Sequence, residues 1–182
     1  MKFTPLPLDG AFRVDPEPII DERGFFARIF CVDEFAAVGL KSTWLQCNVS
    51  FSTIRGTVRG LHFQHAPKAE NKLLRCTKGS IWDVIVDLRA ESPTYGSWHG
   101  ELLDESNRSM IYVPKGFAHG FQTLTNDVEM FYCHSEMFSV PHQRGLIWND
   151  PQVAINWPIE ATNISKRDLA LPFLKDLAPM NI

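Results

Sequence analysis

Apolar and polar residues along this chain alternate in short runs with a period of two, separated by turn residues, and long 3.6-residue periods are absent. The pattern predicts strands over 57–63, 72–76, 80–88, 109–113, 120–124 and 128–132. The run IWDVIVDL at 81–88 is rich in β-branched residues, and Asp83 and Asp87 interrupt one side of its alternation. Lys78-Gly79, Ser92-Pro93, Pro114-Lys115-Gly116 and Asn126-Asp127 read as turns between the runs. Two short helices are expected, one over 33–38 with an acidic first turn, the other over 163–172 with Ser165 as its cap. Many short strands at about 8–12-residue spacing predict an all-β sandwich or barrel. A parallel βαβ architecture would need helical periods between the strands.

Length and composition narrow the picture. The 182 residues, 45% hydrophobic and 21% charged, suit one globular domain spanning 1–182. A net charge of −3 offers no broad surface for nucleic acid or an anionic membrane, although a few local cations can still hold a small anionic ligand. Met1 to Phe12 has one Lys, two prolines and no long apolar run, so neither a signal peptide nor an anchor is expected. Cys31, Cys47, Cys76 and Cys133 form no CxxC pair, which predicts reduced thiols and a cytoplasmic protein.

The candidate chemistry clusters in a few places. In Arg59-Gly60-Leu61-His62-Phe63-Gln64, strict strand alternation puts Gly60, His62 and Gln64 on one face and Arg59, Leu61 and Phe63 on the other. A histidine on an inner barrel wall is desolvated and rigidly aimed, which suits proton abstraction; a hydrogen-bonded core histidine is the plainer alternative. In Pro114-Lys115-Gly116-Phe117-Ala118-His119, the spacing PxGxxH matches the second signature of the cupin barrel, with His119 at the start of an inward-facing strand. Many cupins use that His as a metal ligand. Here the other ligand candidates, His62 and His65 followed by Glu70, are three apart, so a strand aims the two rings at opposite faces and no metal site is expected. Arg23, Arg59, Lys72, Arg75 and Arg167 form a basic set of the kind that binds diphosphate, and Lys72 and Arg75 interrupt an apolar strand. There is no Gly-rich phosphate loop. The aromatic stretch from Trp148 to Pro158 reads as hydrophobic plugs closing a barrel end.

Taken together and in order, these motifs closely resemble the dTDP-4-dehydrorhamnose 3,5-epimerase family of L-rhamnose biosynthesis. The likeness runs from about Asp21 to Leu174. It includes Asp21-x-Arg23-Gly24-x-Phe26, Gln46-x-Asn48-x-Ser50, RGLHFQ at 59–64, Lys72-Leu73, VDLR at 86–89, SPTYG at 92–96, PKGFAHGF at 114–121, WNDP at 148–151 and Ser165-x-x-Asp168. The resemblance implies a cupin-type jelly-roll barrel with short flanking helices, assembled as a homodimer, with neither metal nor organic cofactor in catalysis. It implies that His62 is the base, Asp168 its orienting carboxylate, Tyr132 the acid on the opposite face and Lys72 the cation at the enolate oxygen. His119 and Arg59 would line the site. Arg23, from the partner subunit, with Gln46, Asn48 and Arg167 would hold the nucleotide diphosphate, and Phe138 would stack on the base.

That assignment agrees with what the residue types can do. A proton beside a ketone is acidic because the enolate spreads its charge onto oxygen, so the reaction needs a base near pH 7, a cation at that oxygen and an acid on the far face. The implied substrate is a nucleoside-diphosphate 4-keto-6-deoxy sugar, dTDP-4-dehydro-6-deoxyglucose first, inverted at C3, C5 or both, for surface polysaccharide such as O-antigen. Three positions depart from the family pattern. Arg28 and Gln143 stand where members carry Glu near the base, and Phe138 stands for a common Tyr. Glu accepts from a pyrimidine N3–H and Arg does not, which keeps CDP- or GDP-linked sugars and single-carbon epimerases as alternatives. A metal-dependent cupin oxygenase or isomerase is the rival from a different class.

Overall fold

The protein is described here by a computed structural model covering residues 1–41 and 43–182. Two antiparallel sheets face each other. The first runs β1 (Lys2–Pro5), β2 (Phe12–Asp15), β10 (Met110–Val113), β7 (Lys72–Lys78), β12 (Val128–His134) and β5 (Gln46–Ser52). The second runs β13 (Gln143–Gly145), β6 (Thr57–Gln64), β11 (Phe117–Thr123), β8 (Ser80–Asp87) and β9 (Trp98–Asp104), with β14 (Asn163–Ile164) parallel to β6. β3 (Ile19–Asp21) and β4 (Gly24–Phe26) form a separate hairpin. From β5 to β8 and again from β9 to β13, consecutive strands change sheet, which produces a cupin-like jelly roll. The corner between β7 and β8 is a single residue, Gly79, at φ 78°. A Cβ there would lie 2.6 Å from Thr125 Oγ1, so both conformation and space call for glycine.

Three apolar layers explain the strand pattern. Leu74, Cys76, Ile111, Val113 and Met130 of the first sheet meet Ile81, Ile85, Phe117 and Phe121 of the second, forming the inner core. The outer face of the second sheet, through Leu61, Phe63, Val84, Val86 and Ala118, is covered by Leu146, Val153, Leu174 and Met180, with Trp157 packed against them. The aromatic tail therefore covers a sheet face and does not plug a barrel end. Asp150, 1% exposed, holds this cover by accepting from the backbone N–H groups of Gln152, Val153 and Leu174. The outer face of the first sheet, to which Phe3 of β1 contributes, is covered by Phe35 of α1 (Val32–Ala37) with Phe30 and Trp44. Because both faces of β8 are covered, the run 81–88 is apolar throughout apart from its two aspartates.

Most of the expected strands form, and the differences are informative. The second helix is shorter than expected: α2 spans only Lys166–Leu169, preceded by β14, although Ser165 caps it as expected, its Oγ accepting from Asp168 N at 3.0 Å. Arg75 lies on the outer face of β7, opposite Lys72, and so leaves the basic set; burial pushes its guanidinium below the ordinary arginine range. The four cysteines are free, and Cys47 and Cys133, distant in sequence, lie opposite each other across β5 and β12 with Sγ atoms 3.6 Å apart. Among the described residues no helix is long and apolar enough to cross a membrane.

Asp87 explains the VDLR…SPT signature. It is fully buried and accepts from Arg89 N, Nε and Nη2 and from the hydroxyls of Ser92 and Thr94. Burial alone would raise its pKa, but these bonds outweigh it and hold the carboxyl below the usual carboxylate range. Asp87→Ala leaves a half-buried guanidinium and two hydroxyls unpaired, and is expected to destabilise the fold by about 3 kcal/mol in urea denaturation. An unchanged denaturation midpoint would show that the network contributes nothing.

Candidate active site

Between the two sheets lies a cavity of about 490 Å³, partly open to solvent. Its second-sheet wall comes from β6 and β11, its first-sheet wall from β5, β7 and β12. β6 is the strand whose strict alternation fails. His119 of β11 pairs with His62, but Phe121, two residues on, pairs with Arg59, three residues back, so β6 carries one extra residue. This bulge turns both Arg59 and His62 into the cavity while Leu61 stays in the outer layer. Gly60 allows it: its φ is 116°, and a Cβ would stand 2.7 Å from the Cα of Gly120. Strict alternation alone would have turned Arg59 away from His62, and the bulge brings it to the cavity where the resemblance expects it.

His62 Nε2 lies 2.7 Å from Asp168 Oδ1, although the two residues are 106 apart in sequence. The other carboxylate oxygen of Asp168 accepts from Gly60 N at 3.3 Å, which ties α2 to the bulge. Nε2 is also 2.8 Å from Arg167 Nη2. One ring nitrogen cannot donate to the carboxylate and accept from the guanidinium together, so the two neighbours call for opposite states of Nε2, protonated for Asp168 and bearing a lone pair for Arg167. Burial is the largest influence on His62 and lowers its pKa; Asp168 opposes this, and the Arg167 and Lys72 charges add to it, leaving a net lowering. Burial raises Asp168, but its bonds to His62 and Gly60 and the Arg167 charge hold it below the carboxylate range.

Two further imidazole–carboxylate pairs line or border the cavity: His119 Nε2 with Asp83 Oδ1 at 2.7 Å and His134 Nδ1 with Glu70 Oε2 at 3.0 Å. Asp83 and His134 are not among the expected site residues, and Glu70 enters only as a metal-ligand candidate. The break in apolar alternation at Asp83 was the signal available for the first, and His134 carries none. Lys72, 6% exposed, donates from Nζ to the His62 carbonyl at 3.1 Å and lies 3.4 Å from Glu70 Oε1. Burial would raise the Glu70 carboxyl, but His134 and Lys72 hold it down.

Tyr132, from β12, reaches the cavity from the sheet opposite His62. Its ring packs on the inner core, its hydroxyl lies 2.9 Å from Ser50 Oγ, and burial pushes its pKa up from the phenol range. Asn48, Phe138, Gln143 and Arg167 also line the cavity. Gln46 acts one step back, its Oε1 accepting from Phe138 N at 3.0 Å. Arg59 is held by Ser52 Oγ and Phe51 O, both at 2.8 Å. Gln143, with its Oε1 facing the guanidinium, accepts from Arg167 at 3.2 and 3.3 Å.

Two expected ligand contacts are not brought to the cavity within this chain. Arg23 is 82% exposed on the β3–β4 hairpin and bonded to Asp21. Arg28 follows that hairpin and is paired with Glu34 of α1 at 2.9 Å, on the outer face of the first sheet. His65, the other candidate metal ligand, does not line the cavity; it packs edge-on against Phe63 of the outer layer. Among the described residues no three His, Cys, Asp or Glu side chains are grouped to hold a metal ion, so the donor set does not fit the metal-dependent cupin reading.

Comparison with known proteins agrees with this geometry. The family model described as dTDP-4-dehydrorhamnose 3,5-epimerase matches residues 5–176. A dTDP-4-dehydrorhamnose 3,5-epimerase of Sinorhizobium fredii is 43% identical over 97% of this chain and 91% of its own. The crystal structure of a dTDP-4-dehydrorhamnose 3,5-epimerase from Bacillus anthracis, with TDP and PPi bound, superposes with a TM-score of 0.92 at 41% identity, covering 94% of this chain and 98% of that one. The corresponding enzyme of Legionella pneumophila, in complex with dTDP-4-keto-L-rhamnose, gives a TM-score of 0.91 at 32% identity, covering 97% and 94%. Matched by the family model over residues 5–176 and by relatives of 43% and 41% identity over most of its length, the chain belongs to the dTDP-4-dehydrorhamnose 3,5-epimerase family.

Proposed function

We propose that this protein inverts carbons beside the 4-keto group of dTDP-4-dehydro-6-deoxyglucose, yielding dTDP-4-dehydro-L-rhamnose, with His62 as the base. The observation that carries the reading is the contact of His62 Nε2 with Asp168 at 2.7 Å on the wall opposite Tyr132. With Nε2–H directed at the carboxylate, Nδ1 holds the free lone pair that takes the carbon-bound proton, and Asp168 stabilises the imidazolium. Lys72 places a buried positive charge for the enolate oxygen. Tyr132 returns a proton from the other side, and the centre inverts. Arg59, His119 and Asn48 contact the sugar and diphosphate, and Phe138 stacks on the base, which needs only its ring. Arg167 binds the diphosphate, and in doing so it leaves Nε2 of His62 to Asp168 alone. The relatives that hold TDP with pyrophosphate and a dTDP-linked keto sugar support the nucleotide and the sugar.

The whole chain acts as one domain, works in the cytoplasm and assembles as a homodimer. The β3–β4 hairpin supports the last point. It pairs with neither large sheet and exposes Ile19, Ile20 and Phe26 by 72%, 77% and 72%, with Arg23 at its tip available to a partner's site. Light scattering is expected to give twice the chain mass, and a monomeric mass would refute the dimer.

His62→Ala is expected to abolish solvent-deuterium incorporation at the carbons flanking the ketone, read by NMR in heavy water; undiminished exchange would reject His62 as the base. The pH dependence follows from the electrostatics. Because burial and two cations depress the imidazole pKa, the neutral base persists below the ordinary value of about 6.5. The acid limb of kcat/KM is therefore expected below that value. Arg167→Gln removes one depressing charge and moves the limb upward, and a limb that stays in place would show that Arg167 does not act on His62 in solution.

A further inference from the structure

Each inversion by the proposed mechanism leaves the site with one proton too many on one wall and one too few on the other. His62 gains the proton taken from carbon, and Tyr132 loses the one it returns. His62 is partly open to solvent. Tyr132 is also partly buried and lines the same cavity, but its ring packs on the inner core and, among the described residues, Ser50 Oγ at 2.9 Å is the side-chain hydrogen-bond partner of its hydroxyl. The tyrosinate left after proton transfer is strongly basic in that setting, because burial raises the phenol pKa.

Strand geometry fixes this pairing. Tyr132 of β12 lies opposite Asn48 of β5, and Ser50 lies opposite Met130. Ser50 and Tyr132 are thus diagonal neighbours on the same inward face, where long side chains meet. Ser50 is half-buried on an edge strand and lines the cavity, so its hydroxyl touches both Tyr132 and the solvent-filled space. A hydroxyl both donates and accepts, as a proton relay requires; an apolar or acceptor-only side chain at this position does not.

We infer that Ser50 is the proton relay that recharges Tyr132 between turnovers. This rests on Tyr132 being the acid of the proposed reaction. In the chemical step, the O–H bond of Tyr132 breaks as the new C–H bond forms. In the recovery step, Ser50 gives its hydroxyl proton to the tyrosinate oxygen while water gives one to Ser50 Oγ. The proton held by His62 departs to solvent, so protons balance over the cycle and no oxidant or co-reactant is used. Ser50 does not touch the reacting carbon.

The role has a kinetic signature that a merely structural serine lacks. In Ser50→Ala the resting Tyr132 is still protonated, so the first C5 inversion proceeds at the wild-type rate and only later ones wait. Rapid-quench assays with dTDP-4-dehydro-6-deoxyglucose are expected to show a burst of one C5 inversion per site, then a steady-state rate at least about tenfold lower. Ser50→Thr is expected to restore the steady state and Ser50→Val to behave like Ser50→Ala; that pair repeats the comparison at nearly constant shape if the alanine variant proves unstable. Equal slowing of both phases, or no change in either, would overturn the relay. Tyr132→Phe is measured alongside. If it loses C5 inversion while Ser50 variants are normal, the acid assignment stands and the relay falls; if it keeps full C5 inversion, the mechanism on which the relay rests fails as well.

Discussion

The cavity is organised around one contact, the Asp168 carboxylate against the bulged stretch of β6. One oxygen accepts from Gly60 N and the other meets His62, so a single buried side chain fixes the backbone of the bulge and the orientation of the imidazole together. The bulge in turn decides which side chains face inward. Without its extra residue, Arg59 and His62 would point to opposite faces, and one would lie in the layer occupied by Leu61. Asp168 reaches this position because Ser165 caps a helix of only four residues, and β14 immediately before it is paired to β6. A longer second helix would carry the carboxylate away from the strand it serves.

Three imidazoles around the cavity contact carboxylates, yet they are not equivalent. The His119 side chain is 6% exposed and that of His62 30%, so the first is enclosed between its strand neighbours and the second presents an edge to the open space. His62 is also the ring contacted by Arg167, and Lys72 bonds its main-chain carbonyl. A base for carbon acids must be neutral before reaction and stabilised as a cation after it. Burial and the two nearby cations favour the first state, while Asp168 favours the second.

Much of this was legible in the amino-acid sequence, for reasons that differ between elements. The strands β6, β7, β8, β11 and β12 carry apolar residues on at least one covered face, so their period of two is plain. β5 escaped because its pattern is inverted. Asn48 and Ser50 turn their polar side chains toward the cavity, while the apolar Val49 and Phe51 stay 62% and 46% exposed. Its recognition depends on the cavity and therefore on residues far away in the chain. The bulge was invisible to an alternation argument, which presumes that no residue is extra. The pairings of His62 with Asp168, His134 with Glu70 and Tyr132 with Ser50 span 106, 64 and 82 residues, and no local spacing encodes them. The first came from resemblance, and the other two needed the fold. Arg75 shows the opposite error. Three residues from Lys72 in a strand, it must face the other way, and charge alone was a poor guide to grouping them.

The bond from Lys72 Nζ to the His62 carbonyl has a consequence for how the site tolerates motion. In the proposed reaction the base acts on a carbon and the cation on the oxygen one bond further along, so their separation matters more than the absolute position of either. The two belong to different sheets, β6 and β7. A lysine anchored on the main chain of the very residue that supplies the base moves with it. Glu70, 3.4 Å from the same Nζ, holds the ammonium from the other side, and His134 holds Glu70. The chain from His134 through Glu70 and Lys72 to His62 thus links the acid's wall to the base's wall by short polar contacts. Lys72, the cation of the proposed reaction, sits in the middle of that chain.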